Sequence, residues 1–238
     1  MAKNQLHPLE AELTNFVSYI DGLYASFQLS TRSISRARRE FNARLSDFEE
    51  KNCFTFQREE DDMQMISANP EYSHRWRQMR RIKTRLDASY KTVPASFVVA
   101  LVSQYDAFLG RLIKTLFEIK PEIINLSEKT FTFSELLAFG SVEAAKSHLI
   151  EKEVETVLRD SHIEQFKWLE TKFGVQLRKG LESWPQFVET TERRNLLVHT
   201  GGHVSSQYIK NCKEQSVALS DNVKAGIELE TDAKYVTT

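Results

Sequence analysis

An apolar repeat in the N-terminal third constrains the fold more than any other feature of this chain. Large apolar side chains recur there at alternating spacings of four and three residues: Leu9, Leu13, Phe16, Ile20, Leu23 and Phe27. After a lapse at Ser30 the register continues through Phe48, with Arg44 as a second lapse. Because a sustained spacing of about 3.5 residues places apolar side chains along one seam of a helix, the sequence predicts a long first helix.

A second apolar face follows Asn69-Pro70, a dipeptide typical of turns. It consists of residues at helical spacing: Tyr72, Trp76, Met79, Ile82, Leu86 and Tyr90. We therefore expect an antiparallel, coiled-coil-like hairpin over residues 1–91. The acidic segment from Cys53 to Met65 is expected to be an irregular connection between its two helices.

The remaining residues, 92–238, are predicted to form a helical bundle, so the expected fold class is all-α. The sequence holds only 8 glycines and 5 prolines, and the long stretches between them favour helices. Pro94 suits the first turn of a third helix, which would end before Pro121. Residues 130–136 are expected to form a short strand or a loop leading into a helical turn. Further helices are expected after Gly140-Ser141, from Ser161 to Phe173, and from Ser205 to about Lys213.

One helix in the C-terminal half has strong start and stop signals. Ser183 and Gln186 fit a capping box, in which the Ser183 hydroxyl accepts from the backbone N–H of Gln186 and Gln186 reaches back. Pro185 falls in the first turn, where a missing N–H costs nothing. Gly201-Gly202 is expected to end this helix after His199.

The end of this helix combines charged, amide and imidazole groups in the run Arg193-Arg194-Asn195-Leu196-Leu197-Val198-His199. Helical spacing places Glu192, Asn195 and His199 on one stripe, and the long Arg194 side chain can reach toward it. His199 lies in the last turn, where the helix dipole favours an imidazolium. An imidazole that moves protons and a guanidinium that binds phosphate suit RNA cleavage without a metal, because the RNA brings its own 2′-hydroxyl nucleophile.

The run from Arg194 to His199 resembles the Arg-polar-x-x-x-His motif of the HEPN superfamily of helical nucleases. The flanking Thr191-Glu192-Arg193 and Gly201-Gly202, with the stretch from Glu151 to Trp184, resemble a bacterial branch of it. The resemblance extends from about Pro94 to Cys212 and leaves the N-terminal hairpin outside. It implies a HEPN-like bundle of four or five helices that forms a homodimer and cleaves RNA at the dimer cleft without a metal or other cofactor.

The resemblance also implies roles and partners. Arg194, Asn195 and His199 are the catalytic candidates, and Glu192 is a supporting residue, since an upstream acid is not general in the superfamily. Such proteins are commonly toxins or anti-phage defence effectors, which an antitoxin or a sensor protein must restrain. One His serves only one proton transfer at a time, so a two-fold dimer would have to supply the second His199.

A basic cluster lies on the second predicted helix with no acid between its members: Arg75, Arg77, Arg80, Arg81, Lys83 and Arg85. Arginines on the first helix extend from Arg32 to Arg44. Such a surface suits an RNA backbone, so Arg75, Arg77, Arg80 and Arg81, together with Arg193, are RNA-binding candidates. The alternative is a solvated face that pairs with the acids of residues 47–62.

The motif also has plainer interpretations. Arg193, Arg194 and His199 would balance the dipole of a helix C-terminus, with Asn195 exposed. His199 and His203 have the spacing of a metal pair, but glycines break the helix between them and no third ligand is evident, so no metal is expected. His148 and His162 are expected to be solvated or core-edge residues. On these interpretations the chain is a non-catalytic helical dimerisation module or an RNA-binding protein without chemistry.

Composition limits the setting in which the chain acts. The formal net charge is −1, so RNA capture would depend on local patches. No apolar run approaches the roughly 20 residues that span a bilayer, and the N-terminus lacks the apolar core of a secretory signal. Cys53 and Cys212 do not suggest a disulfide framework. We expect a cytoplasmic protein without a membrane partner. The helix-like start at Asp232, close to the last residue, suggests a fragment of a longer protein.

Overall fold

The computed structural model describes residues 7–57, 64–126 and 130–237, with the backbone alone at residues 56, 57, 64, 65 and 124–126. Its α-helices are α1 Pro8–Asn52, α2 Ser73–Ile119, α3 Phe133–Phe139, α4 Val142–Arg159, α5 His162–Phe173, α6 Trp184–His199, α7 Ser206–Glu214 and α8 Ala233–Thr237. Two strands, β1 Cys53–Gln57 and β2 Gln64–Ala68, and two 3-10 helices, Pro70–Tyr72 and Pro121–Leu126, complete the described elements. The predicted all-α class is confirmed, with one small sheet added.

Contacts within the chain define two compact units, and α1 and α2 contribute to both. The bundle unit consists of Met1–Gly22 and Val98–Glu230, and the hairpin unit of Leu23–Phe97 and Thr231–Thr238. In α2 the hairpin unit ends at Phe97, a few residues beyond the domain boundary predicted from the sequence. The first turns of α1 belong to the bundle unit.

In the hairpin unit α1 and α2 run antiparallel. The Phe27 and Phe97 rings pack with centroids 4.7 Å apart. Arg38 forms an ion pair with Asp87, and the Trp76 indole N–H donates to the Glu49 carboxylate at 2.8 Å. Residues progressively later in α1 therefore meet residues progressively earlier in α2, as the apolar repeats predict.

The predicted helix break before Pro94 is wrong, because α2 is continuous and holds Pro94 in its interior. A proline inside a helix removes a backbone hydrogen bond and costs about 3 kcal/mol. Tertiary packing at and just after Pro94 offsets that cost. Pro94 is itself fully buried, Phe97 packs against Phe27, and Val98 is buried.

The prediction of an irregular segment after Cys53 is also wrong. β1 and β2 pair as an antiparallel hairpin, with Cys53 opposite Ala68 and Thr55 opposite Ile66. Aromatic and β-branched residues in Cys53–Gln57 fit a pleated strand, and local acidity does not prevent that pairing. The acids Glu59, Glu60, Asp61 and Asp62, between the strands, lie outside the described residues.

The core of the bundle unit forms where the C-terminal part of α2 meets α4 and α5. Buried side chains from these helices form one apolar cluster that includes Leu109, Ile113, Val157 and Leu169. α6 continues the core in two directions. Val188 packs with Ile163 of α5 and Trp184, and Leu196 packs with Tyr208 and Cys212 of α7. This packing fixes which face of α6 remains free of the apolar core.

Local capping rules account for most helix ends in the bundle unit. Ser141 caps α4 and Ser161 caps α5, and Gly174 ends α5 with a φ of 64°, as the sequence predicts. For residues 130–136, the loop-into-helix alternative is the correct one: Thr132 and Glu135 form a capping box at the start of α3.

The start of α6 differs from its prediction, although its extent is confirmed. Ser183 has helical dihedrals, φ −78° and ψ −3°, and its side chain makes no capping bond. The predicted capping box between Ser183 and Gln186 is therefore wrong. A hydroxyl caps from an extended backbone, which Ser183 does not have because the chain already turns through Leu181 and Trp184 there.

The helical stretch Pro70–Ile119 contains a window of 18 residues with mean hydropathy 1.3, enough by length and composition to cross a membrane. The sequence prediction that no apolar run approaches this length did not anticipate such a window. Of the window, 28% is buried inside the protein, and Val98, Val102, Leu109 and Ile113 are among the buried residues of this helix.

Candidate active site

A polar cavity of about 500 Å³ lies in the bundle unit, lined by α6 together with residues of α2, α5 and α7. Arg194, Asn195 and His199 all line it, and so does Glu192. The stripe that helical spacing predicts is thus one wall of a cavity. Neither the depth of this cavity nor the groups opposite α6 were predictable from that spacing.

The termination of α6 determines where His199 lies. The backbone N–H groups of Thr200 and Gly202 both donate to the Leu196 carbonyl, at 2.9 and 3.0 Å. Gly201 and Gly202 have φ values of 62° and 88°, a region that residues with a Cβ adopt at a cost. The predicted glycine stop is confirmed, and it leaves the exposed His199 side chain at the edge of the cavity.

Arg194 belongs to a three-residue network. Its Nη2 donates to Asp106 Oδ2 at 2.9 Å, and the other oxygen of that carboxylate, Oδ1, lies 2.8 Å from Nε2 of His162. Arg194 Nε is buried and has no hydrogen-bond partner among the described residues. Asp106 therefore holds the guanidinium by one terminal nitrogen, while the protein encloses the unpartnered Nε.

Glu192 is buried beside this network. Asn211 of α7 donates from Nδ2 to Glu192 Oε1 at 2.9 Å. Burial raises the pKa of the Glu192 carboxyl above its ordinary value, although the Asn211 hydrogen bond and the electrostatic effects of His162 and Arg194 oppose that shift.

Sequence reasoning missed two members of the site, Asp106 and His162. His162 was expected to be solvated or core-edge, but only 7% of its surface is exposed and it is bonded to Asp106. One available signal was Asp106 itself, a carboxylate between Tyr105 and Phe108 on an otherwise apolar helix face. A charged group in such a position needs a partner, but nothing local identifies which one.

Arg193, predicted to contact RNA, points to internal partners instead. It is buried, its Nε donates to Glu189 Oε1 at 2.8 Å, and its Nη1 donates to the Glu230 carbonyl at 3.0 Å. The Tyr208 hydroxyl donates to the same Glu189 oxygen at 2.7 Å. Arg193 therefore joins α6 to the chain near Glu230, while Glu189 joins α6 to α7 through Tyr208. These internal partners place Arg193 outside the proposed site.

The other RNA-binding candidates lie in the hairpin unit, and all four are exposed. Arg75 stacks over the Phe48 ring, Arg77 donates to the Ser73 carbonyl, and Arg80 lies 3.6 Å from Glu49. The alternative of internal charge pairing therefore applies to Arg80, whereas Arg75, Arg77 and Arg81 make no ion pair within the described part of the chain.

The described ranges contain no group of three or more His, Cys, Asp or Glu side chains that could hold a metal ion. His203, the second member of the considered metal pair, has its Nδ1 3.0 Å from the Thr200 carbonyl oxygen. It is therefore part of the turn that follows α6.

No family model matches the chain, and no curated protein or solved structure matches it either. The resemblance to the HEPN superfamily accordingly rests on the residues of its motif alone.

Proposed function

We propose that this protein is a metal-independent endoribonuclease that acts as a homodimer, of the kind used as toxins or anti-phage defence effectors. The cavity would hold one phosphodiester of an RNA strand. The neighbouring 2′-oxygen attacks phosphorus, the bond to the 5′-oxygen breaks, and the products end in a 2′,3′-cyclic phosphate and a 5′-hydroxyl. No metal is needed, because the nucleophile is part of the substrate.

Each motif residue has a role that its position supports. Arg194 binds the phosphate and stabilises the additional negative charge of the pentacoordinate state through its guanidinium group. His199, exposed at the cavity edge, transfers protons. Asn195 orients His199 or a phosphate oxygen, and Glu192 shapes the wall beside them.

The observation that carries this proposal is the convergence of Arg194, Asn195 and His199 on one polar cavity large enough for a nucleotide. A helix end that merely balanced its dipole would need no such cavity.

The test is cleavage of a labelled RNA of mixed sequence by the purified protein in excess chelator. Wild type should cleave and leave cyclic phosphate ends, and His199→Ala should lower the rate by at least about 100-fold. His203→Ala is the matched control, since His203 is an exposed histidine outside the cavity and should retain activity. Loss of wild-type cleavage in chelator would reject the metal-free mechanism, and full activity of His199→Ala would reject the site.

A non-catalytic interaction module is the second candidate. It is favoured by exposed apolar side chains on and next to α3: Phe133 is 76% exposed, Leu137 66% and Val142 73%. On this hypothesis His199→Ala changes oligomeric state or stability and no RNA turnover occurs. Salt-dependent RNA binding without turnover, abolished by charge reversal at Arg80 and Arg81, would instead indicate an RNA-binding protein.

A further inference from the structure

The cavity holds a second imidazole in the same chain. His162, the first residue of α5, lines it together with His199 of α6. Strand cleavage needs one group to take the 2′-proton and another to protonate the leaving 5′-oxygen. The motif supplies only His199 for these two proton transfers. For that reason the sequence predicts that activity depends on a dimer, which brings a second His199.

The protonation pattern of His162 follows from its partner. Asp106 Oδ1 lies 2.8 Å from His162 Nε2, and a carboxylate accepts hydrogen bonds. Neutral His162 therefore carries its proton on Nε2 and its lone pair on Nδ1. Nδ1 has no hydrogen-bond partner among the described residues. Some other buried polar atoms without a partner are fully enclosed by protein, but Nδ1 is not one of them. The ring thus keeps one free acceptor.

The orientation of the His162 ring is held by its neighbours. The Tyr105 ring centroid lies 5.7 Å from it and that of Phe187 5.9 Å, the latter nearly perpendicular at 81°. Asp106 is itself held by Arg194. A proton acceptor that is fixed before substrate binds avoids reorganisation during the reaction.

We propose that His162 is the base of this site and His199 the acid, so that one chain carries both imidazoles. This inference rests on the endoribonuclease function proposed above. His162 Nδ1 takes the proton of the 2′-hydroxyl as its oxygen bonds to phosphorus. The bond between phosphorus and the 5′-oxygen breaks with its electron pair going to that oxygen, which takes a proton from the His199 imidazolium. Asp106 is a positioning residue that keeps the His162 lone pair on Nδ1.

This assignment removes the chemical reason for a composite site between two chains. Homodimerisation would then serve assembly or RNA binding, and each chain would cleave with its own pair of histidines.

A substrate with sulfur in place of the leaving 5′-oxygen separates the two roles, because a thiolate leaves without protonation. The oligonucleotide carries this change at a linkage that wild type cuts. On the oxygen substrate we expect His199→Ala and His162→Gln each to lose at least about 100-fold in cleavage rate. On the sulfur substrate we expect His199→Ala to regain most of that loss and His162→Gln to remain slow. If the sulfur substrate rescues His162→Gln, or if His162→Gln is fully active on the oxygen substrate, the inference is overturned and the proposed function still stands. An inactive wild type overturns both.

His148→Gln is the matched control, because His148 is also a partly buried histidine packed against aromatic rings, Phe139 among them, and lies outside the cavity. A second measurement needs no variant and so does not depend on how His162→Gln folds. Wild-type activity per chain is followed as the protein is diluted through the monomer–dimer transition. Constant activity per chain supports a complete site in each chain, and activity that falls with the dimer fraction overturns it.

Discussion

Replacing Asp106 by Asn tests the network that joins α2, α5 and α6. Asp106 accepts from Arg194 at 2.9 Å and bonds His162 at 2.8 Å. An asparagine has nearly the same shape but presents one carbonyl oxygen and one NH₂ group. One of the two neighbours would therefore face a donor instead of an acceptor, and Arg194 would lose its counter-charge.

The magnitude follows from the exposure of the groups involved. Hydrogen bonds to charged groups contribute about 1.5–3 kcal/mol each, and the asparagine keeps one weaker bond. The Asp106 side chain is 31% exposed, so water compensates part of the loss. We expect the free energy of unfolding to fall by about 1–2 kcal/mol and Tm by about 2–8 °C. RNA cleavage should fall by about 10- to 100-fold, because the His162 proton is no longer held on Nε2.

The chain offers a matched control in Asp87, which bridges Arg38 and Lys83 in the hairpin unit and is 28% exposed. Hydrogen bonds from Lys83 and Arg38 lower the pKa of Asp87. Asp87→Asn should therefore cost similar stability, measured by urea and thermal unfolding, with cleavage unchanged at saturating RNA. Equal loss of cleavage in the two variants, or an Asp106→Asn protein as stable and active as wild type, would refute the reasoning.

Three further predictions concern the rest of the bundle unit and the hairpin unit. Ile113→Ala should lower the free energy of unfolding by about 2–5 kcal/mol in urea titrations, because Ile113 is 0% exposed. Leu29→Ala, at a position that is 66% exposed, should change that free energy little. Comparable losses in the two variants would contradict the described packing. Hydrogen bonds from Arg178 and the backbone lower the pKa of Glu170 to about 2. The unfolded chain thus binds more protons than the folded one below about pH 4.5, and stability should fall as pH drops from 5 towards 2. Glu170→Gln should flatten that part of the pH profile, and an unaltered slope would argue against the bond. Burial raises the pKa of the Cys212 thiol to about 12. An alkylating reagent at pH 8 should therefore modify Cys212 only on unfolding, which mass spectrometry of the native and denatured protein can measure. Rapid labelling of native Cys212 would contradict its burial.

Local rules determined much of the fold. The caps at Ser141 and Ser161 and the left-handed Gly174 lie where turn chemistry places them, because such signals act within four or five residues. The C-terminal end of α6 followed for the same reason, through Gly201 and Gly202. The same rules failed where contacts distant in sequence outweighed them. Pro94 lies inside a helix whose residues are buried there, as Phe97 packs against Phe27 and Val98 is in the core.

The candidate site divides in the same way. Helical spacing within α6 was enough to place Glu192, Asn195 and His199 on one stripe, because that spacing is a property of the backbone. That Arg194 joins them along one cavity was visible only in the folded chain. His162 and Asp106 could not be found like this, since each is far from the motif in sequence and unremarkable among its neighbours. Only the packing of α2 and α5 against α6 brings the carboxylate within hydrogen-bond distance of Arg194 and places a second imidazole in the cavity. Arg193 shows the reverse case, where a cation beside the motif is turned inward by Glu189 and Glu230. Sequence thus determined which side chains share a helix face, and tertiary packing determined which groups face them, because hydrogen bonds and ion pairs depend on distances that only the folded chain sets.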